Sequence, residues 1–384
     1  MLNQTLSRLR CPRCKRSLNL ELKNPSQIRG SDSIFDIRYG TLICAPCRAR
    51  FPILEGVAVL VKDVRFYLLS HVKGISKLVP DSEIPKEYRS EYLQAQEEIQ
   101  EEHIEEDLEA ERVNALYLMN HYLRVQKSSD DLHPSWWKPS KEEGSPLMDS
   151  LVREYWDQGP FSQIERWVSQ LKGASRKGVD LVELGCGVGG LYRQLQSSLS
   201  SYLGVDSSFA SIALCRHLAL GGPYRGTLRI PEDLLQGPVS REVKIPVHQC
   251  KGGDVDFIVG DLENLPLQSG QWDVSVALNT IDMLNDPIKL PQLQSELLKK
   301  GGIAIQSCPY IWHESIARKL RKKLPSEIST SARAVEWLYQ KAGFQLKEKL
   351  DHLPWLFFKH ARQLEIYSVH LFLAQKAMTR KLSN

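Results

Sequence analysis

Two groups of residues in this sequence have the types and spacing to do chemistry. The first is a set of cysteines. Cys11-Pro-Arg-Cys14 and Cys44-Ala-Pro-Cys47 stand 29 residues apart. Each Cys-x-x-Cys pair makes a tight turn that aims two sulfurs at one ion, and two pairs complete a four-thiolate zinc site. Four thiolates leave no position open for water, so the expected zinc is structural and offers no Lewis-acid chemistry. The second group is a glycine loop with carboxylates placed around it. The stretch "DLVELGCGVGGLY", residues 180–192, holds Gly185, Gly187, Gly189 and Gly190. Gly185, Gly187 and Gly190 meet the G-x-G-x-x-G spacing of a dinucleotide loop. Gly185, Gly187 and Gly189 meet the G-x-G-x-G spacing of an S-adenosylmethionine loop. The loop alone leaves both open.

The surroundings separate the two. "VDLVELG" reads as a buried parallel strand and "LYRQLQSSL" as a helix, so the glycines lie on a strand–loop–helix turn. "SYLGVD" is a second strand ending in Asp206, 21 residues after Gly185. An acid there can bind ribose hydroxyls under either reading. Glu183, two residues before the first glycine, is unusual for a dinucleotide fold. "DVDFIVGDLENLPL" is a third strand ending in Gly260-Asp261, and an acid at that end can accept from an adenine amino group. "QWDVSVALNTIDML" is strand four, and "LLKKGGIAIQSCPY" a helix end, a Gly301-Gly302 turn and strand five. "AVEWLYQKAGFQLKEKL" is a helix and strand, and "LEIYSVHLFLAQK" a last strand.

This ordered series, over residues 180–376, resembles the class I S-adenosylmethionine-dependent methyltransferases. The resemblance implies an α/β, Rossmann-like sheet of seven strands, mostly parallel with the last antiparallel. It places the cofactor across the carboxyl ends of the first strands. It implies that Glu183, Gly185, Gly187 and Gly189 form the loop, with Asp206 on the ribose and Asp261 on the adenine edge. Asp206 and Asp261 can equally serve as helix N-caps, and the two roles coexist. The residues after strands four and five, namely Asn279, Thr280, Asp282, Tyr310, Trp312 and His313, line the acceptor side in such folds. Asn279 is the candidate for orienting an acceptor, and it also borders the cofactor; His313 is the candidate base. Cys308 reads as a strand-end packing residue, with a nucleophile as the less favoured alternative.

Other elements must hold these residues. The chain has 384 residues, 42% hydrophobic and 25% charged, with a net charge of +4. That length allows two or three domains, and that charge does not by itself call for nucleic acid. The sequence shows neither a membrane-spanning run nor a secretory signal, so the expected compartment is the cytoplasm. Residues 1–62 form the cysteine-bearing unit, which ends in "FPILEGVAVLV", a turn at Glu55-Gly56 and a strand. The CPxC, the CxxC and this last strand together resemble the small zinc-ribbon activator subunit of tRNA and translation-factor methyltransferases. In that family the ribbon binds a methyltransferase and covers an apolar edge of it. The resemblance therefore implies a ribbon fused to its catalytic partner and packed on it in cis. The ribbon of rRNA guanine methyltransferases fits less well, since its ligands include a histidine and none lies between Cys11 and Cys47.

Residues 63–148 form a helical segment and linker. Ile99, Ile104, Leu108, Leu116 and Leu123 recur at loosely helical spacing, and Glu97 to Glu111 reads as a solvated acidic face around His103. Trp136 and Trp137 are expected to dock the linker on the core, with stacking on a substrate as the less favoured alternative. The methyltransferase domain spans 149–384, opening with two helices broken at Gly159-Pro160. About 35 residues at 221–253 exceed what the core needs. There "GTLRI" and "EVKIPV" can pair as a hairpin, read as a substrate-side flap. Two basic patches, Arg8, Arg10, Arg13, Lys15 and Arg16, then Arg318, Lys319, Arg321, Lys322 and Lys323, would suit RNA. A small-molecule acceptor is slightly favoured over RNA, with protein behind them. A non-catalytic cofactor-binding scaffold is the alternative reading, and a dinucleotide-binding oxidoreductase a minor one.

Overall fold

The computed structural model describes residues 1–22, 28–30, 35–102, 116–118, 120–121, 151, 159–174, 178–229, 240–245, 254–360 and 363–378. His103, Trp136, Trp137 and most of the expected linker lie outside the described residues.

Seven strands carry the Rossmann-like core. They are β7 (Val179–Leu184), β8 (Leu199–Asp206), β11 (Asp254–Gly260), β12 (Trp272–Leu278), β13 (Leu298–Cys308), β14 (Phe344–His360) and β15 (Gln363–Lys376). Their order across the sheet is β11-β8-β7-β12-β13-β15-β14. All neighbours pair in parallel except β15, which runs antiparallel to β13 and β14. The central strands are almost continuously apolar because both faces are covered. Leu181, Val182, Leu184, Ile258, Val259, Val274 and Val276 are all buried.

The sheet is wider than seven strands. The ribbon contributes β1 (Asn19–Glu21), β4 (Gly40–Ile43), β5 (Arg50–Leu54) and β6 (Val57–Leu60), beside a separate pair, β2 (Ile28–Gly30) and β3 (Phe35–Ile37). β5 and β6 turn through Glu55 and Gly56, at φ 48° and 80°. β6 then pairs in parallel with β11, Val59 opposite Val259 and Leu60 opposite Gly260. The result is one sheet of eleven strands. The ribbon covers what would otherwise be an open edge of backbone donors and acceptors.

Helices cover the faces. α1 (Val64–Ser70), α2 (Val72–Ser76) and α3 (Lys86–Glu102) follow the ribbon, and α4 (Pro160–Ala174) begins at the expected Gly159-Pro160 break. α5 (Gly190–Leu195) leaves the glycine loop, and α6 (Phe209–Ala219) is capped by Ser208, whose side chain accepts from Ser211 N. α7 (Lys289–Leu297), α8 (Glu314–Arg321) and α9 (Ser331–Lys341) complete the set. Two details differ from expectation. The Gly301-Gly302 turn is a bulge inside β13, since Leu298 pairs with Trp272 but Val274 pairs with Ile303. The strand can swell there because Gly301 takes φ 74°. The last two strands form a hairpin of 17 and 14 residues. Cys308 at the end of β13 pairs with His370. Residues 363–369 therefore rise past the carboxyl edge of the sheet, paired with β14 alone. In the 221–253 region, β9 (Tyr224–Arg229) and β10 (Ser240–Ile245) pair antiparallel, Thr227 opposite Glu242.

Candidate functional site

The glycine loop joins β7 to α5 by three residues in the left-handed region, Gly185 at φ 76°, Gly187 at 52° and Gly189 at 74°. Side chains would be strained at all three. They would also collide at two. A Cβ at Gly185 would lie 2.7 Å from Thr280 Oγ1, and one at Gly189 3.0 Å from Cys215 Sγ and from Phe257. At Gly187 a Cβ would meet nothing within 4 Å. The loop is packed on its inner side and open at its crest, which leaves room there for a ligand to approach bare backbone.

Asp206, at the carboxyl end of β8, ties this loop to the next. Its Oδ2 accepts from Gly187 N at 2.9 Å and its Oδ1 from Ser208 N at 2.9 Å. The cap of α6 is Ser208, so Asp206 is not the N-cap. Each carboxylate oxygen keeps a lone pair for a further donor. Asp261 follows β11, caps the turn at 262–264 and accepts from Glu263 N at 2.8 Å and from Asn264 Nδ2. The first helix after the ribbon supports this edge, since Tyr67 of α1 donates to Ser207 O at 2.7 Å. Glu183 lies deeper. It is 4% exposed, and the Tyr202 hydroxyl donates to it. Burial pushes its carboxyl up to about 8, so it is largely protonated at neutral pH.

The residues expected on the acceptor side follow the ends of β12 and β13. Asn279, at φ 52°, donates its backbone N–H to Ser307 O at 2.9 Å, and its Oδ1 accepts from Ser307 Oγ at 3.0 Å. Thr280 is buried against the glycine loop. Asp282 accepts from Ile311 N at 2.8 Å, which fastens the two strand-end loops together. Tyr310, at φ 61°, stacks on Trp312 with centroids 5.8 Å apart. Its hydroxyl lies 2.7 Å from Nδ1 of the buried His370. Nε2 of His370 is 3.4 Å from Glu336 Oε1, in a geometry that makes no hydrogen bond. Burial lowers the His370 pKa and keeps the ring neutral. His313 sits apart from this cluster. It is exposed at the start of α8, with Nδ1 2.8 Å from Ser315 Oγ. Cys308 is buried and its thiol is pushed far up, as suits packing rather than nucleophilic attack.

Two groups at the site carry little sequence signal. Residues 118 and 121 lie against the glycine loop and the helix that leaves it. Leu118 packs with Val188 and Leu218, and a Cβ at Gly190 would lie 2.4 Å from that of His121. A chain of rings continues from there, Tyr117 to Phe357 and His121 to Phe161 to Trp355. The second group is the seam between ribbon and core. Buried Arg216 of α6 donates to Asp256 of β11 and to Asp36 of the ribbon. Asp256 also accepts from Leu2 N at 2.8 Å and Thr5 Oγ1 at 2.7 Å. The acid inside "DVDFIVG" was the one hint of it.

Three of the five N-terminal cations, Arg8, Arg10 and Lys15, bond across the same seam, while Arg16 is exposed. Arg8 donates to Ser201 Oγ at 2.6 Å and lies 4.6 Å from the Trp272 ring centroid. Arg10 bonds Gln268, Arg13 donates to Lys62 O at 2.8 Å, and Lys15 to Leu265 O at 2.9 Å.

The four ribbon cysteines converge. Their sulfurs lie within 4.8 Å of one another, with Cys11–Cys47 at 3.6 Å and Cys14–Cys44 at 3.3 Å. Sulfurs about 2.3 Å from one tetrahedral ion stand roughly 3.8 Å apart, so the donor set fits zinc, while the distances are too long for disulfides.

Fold and loop together define a Rossmann-like methyltransferase. The methyltransferase-domain profile matches residues 182–306, and the Trm112p-like profile matches residues 4–56. The chain is an S-adenosylmethionine-dependent methyltransferase with a Trm112p-like ribbon at its N-terminal side. No curated protein sequence matches it. Among solved structures it is similar to the complex of the Haloferax volcanii Trm112 methyltransferase activator with a methyltransferase. There the identity is 15% and the TM-score 0.35, over 60% of this chain and 97% of that one. It is similar to magnesium protoporphyrin IX methyltransferase of Synechocystis with bound S-adenosylhomocysteine, at 13% identity and TM-score 0.37, over 68% and 98%. A Methanosarcina mazei methyltransferase gives 16% and 0.37, over 54% and 97%.

Proposed function

We propose that this enzyme methylates a small-molecule acceptor at the carboxyl edge of the sheet, between the glycine loop and the loops after β12 and β13. The observation that carries the reading is the open crest at Gly187, with Asp206 bonded to its backbone. Bound there, S-adenosylmethionine would supply an electrophilic methyl group on a cationic sulfur. Gly185, Gly187 and Gly189 admit the cofactor to the backbone, Asp206 takes its ribose hydroxyls, and Asp261 its adenine edge. Asn279 and Glu183 border its methionine end, Glu183 from beneath. Asn279 orients the acceptor, since its side chain is already fixed by Ser307. His313 serves as base only if the loop before α8 turns inward, because it faces solvent here. Methyl transfer is an in-line displacement, so holding these groups in place carries much of the rate.

Arg8 and Arg10 of the first basic patch bond core side chains, which leaves less of that patch for RNA and supports a small molecule. The cysteines hold a structural zinc, and the ribbon acts in cis as the Trm112 activator does in trans in the Haloferax volcanii complex.

Transfer of labelled methyl from S-adenosylmethionine into extract, separated into RNA, protein and small-molecule fractions, tests this. Label should enter the small-molecule fraction and vanish with Asp206→Ala. That variant should bind cofactor about 10- to 100-fold more weakly by calorimetry, as expected for a lost charged hydrogen bond. Unchanged affinity would break the assignment.

A further inference from the structure

The rim beside the acceptor side is both greasy and cationic. Met283, in the turn after β12, is 78% exposed, and Ile311, after β13, is 63% exposed. The two are neighbours, because Ile311 N bonds Asp282. On β15, Ile366 shares a sheet face with His370, which holds Tyr310, and is 51% exposed. Met and Ile side chains left this open in one region lose hydrophobic stabilisation that a partner surface would restore.

Just beyond lies α8. Its apolar face is already used, with Leu320 buried against the protein. Its outward face and the turn after it carry Arg318, Lys319, Arg321, Lys322 and Lys323, all exposed. Between residues 313 and 328 these five cations meet two carboxylates, Glu314 and Glu327. Glu314 pairs with Arg318, and Asp286 lies 3.9 Å from Lys323. Lys319 and Lys322 form no ion pair among the described residues.

We propose that this rim docks on an anionic lipid surface, with Met283 and Ile311 entering the headgroup region and the 318–323 cations meeting acidic headgroups. Apolar side chains flanked by cations, at the edge of a folded domain, are the two attractions a peripheral membrane contact uses. The aliphatic character decides against nucleic acid. A base-stacking surface needs open aromatic faces. Here Tyr310 and Trp312 are half-buried and stack on each other, and Trp312 Nε1 donates to Ser331 Oγ at 3.0 Å. Docking in this way points the carboxyl edge of the sheet at the membrane. The acceptor is then an amphiphile drawn from that surface, a step that rests on the methyl-transfer reading, whereas docking itself does not.

Vesicle flotation of the full chain tests docking. Vesicles of phosphatidylcholine alone are compared with vesicles that also contain phosphatidylglycerol. The protein should float with the anionic vesicles and not with the neutral ones. A cation near an anionic surface contributes about a fivefold gain in partition, so Lys319→Glu with Lys322→Glu should weaken binding by about thirtyfold or more. Met283→Ser with Ile311→Ser should also weaken it. Both variants should keep the wild-type melting temperature and cofactor affinity. Absence of flotation with either vesicle, or wild-type flotation of the Met283→Ser, Ile311→Ser variant, overturns the proposal. So does a single-stranded RNA oligonucleotide that binds the wild type, is lost with the lysine pair and is kept by the Met283, Ile311 variant. Flotation without any methyl transfer to lipid extracts leaves docking standing and removes the amphiphile as acceptor.

Discussion

Glu183 shows how a motif residue can be legible in type and hidden in state. The acid two residues before the glycines was readable; its burial under Tyr202 was not, because burial depends on strands far apart in sequence. The consequence is a pH dependence. Its carboxyl stands at about 8 in the fold against an ordinary value of 4.5. The fold therefore takes up a proton there, and that stability is present below about pH 4.5. It is lost as the pH rises through 8, on the order of a few kcal/mol. Glu183→Gln should flatten this slope. In denaturant unfolding it should match the wild type near pH 5 and exceed it near pH 8.5. A parallel loss in both proteins would show that another group governs the slope. Asp206 is legible in position, since a short apolar run ends in an acid 21 residues after Gly185. Its bonds to Gly187 and Ser208 needed the fold.

Among the elements, the five parallel core strands are legible because buried parallel strands are nearly continuous apolar runs, whereas the final antiparallel pair is polar along much of its length and its full extent is not. The bulge at Gly301 has the sequence signature of a turn, since Gly-Gly carries the same local signal for either. The merger of ribbon and core into one sheet left no local signal beyond the strand at 57–60. The seam that fixes this merger makes a strong prediction. Arg216 lies between Asp36 and Asp256 and packs on the β5–β6 turn, so that a Cβ at Gly56 would lie 2.8 Å from its Nη2. Arg216→Met should leave the buried Asp256 without its cation and Asp36 with the Met1 ammonium alone, and cost roughly 3–5 kcal/mol by chemical denaturation. Gly56→Ala should destabilise as well, by about 1–3 kcal/mol, since it adds left-handed strain to the collision. If Arg216→Met unfolds at wild-type denaturant, the seam is not what holds the ribbon down. Removing residues 1–62 should expose the β11 edge and lower solubility, as read from the soluble fraction on expression.

For the whole molecule, the described helices include none long and apolar enough to cross a membrane. Metal analysis should find one zinc per chain, and the Cys11→Ser, Cys14→Ser variant should hold none. A folded, metal-free wild type would sink the four-thiolate site. The ribbon and the cofactor edge are not independent bodies. β6 pairs with β11 at Val259 and Gly260, and Asp261 is the next residue of the chain. A disturbance of the ribbon thus reaches the carboxylate proposed to meet the adenine edge through two backbone pairings. Thermodynamic coupling of this kind runs equally in both directions. If loosening the ribbon weakens the cofactor's hold, then the cofactor must tighten the ribbon by the same factor, and the four cysteines of a cofactor-loaded chain should surrender their metal to a chelator more slowly.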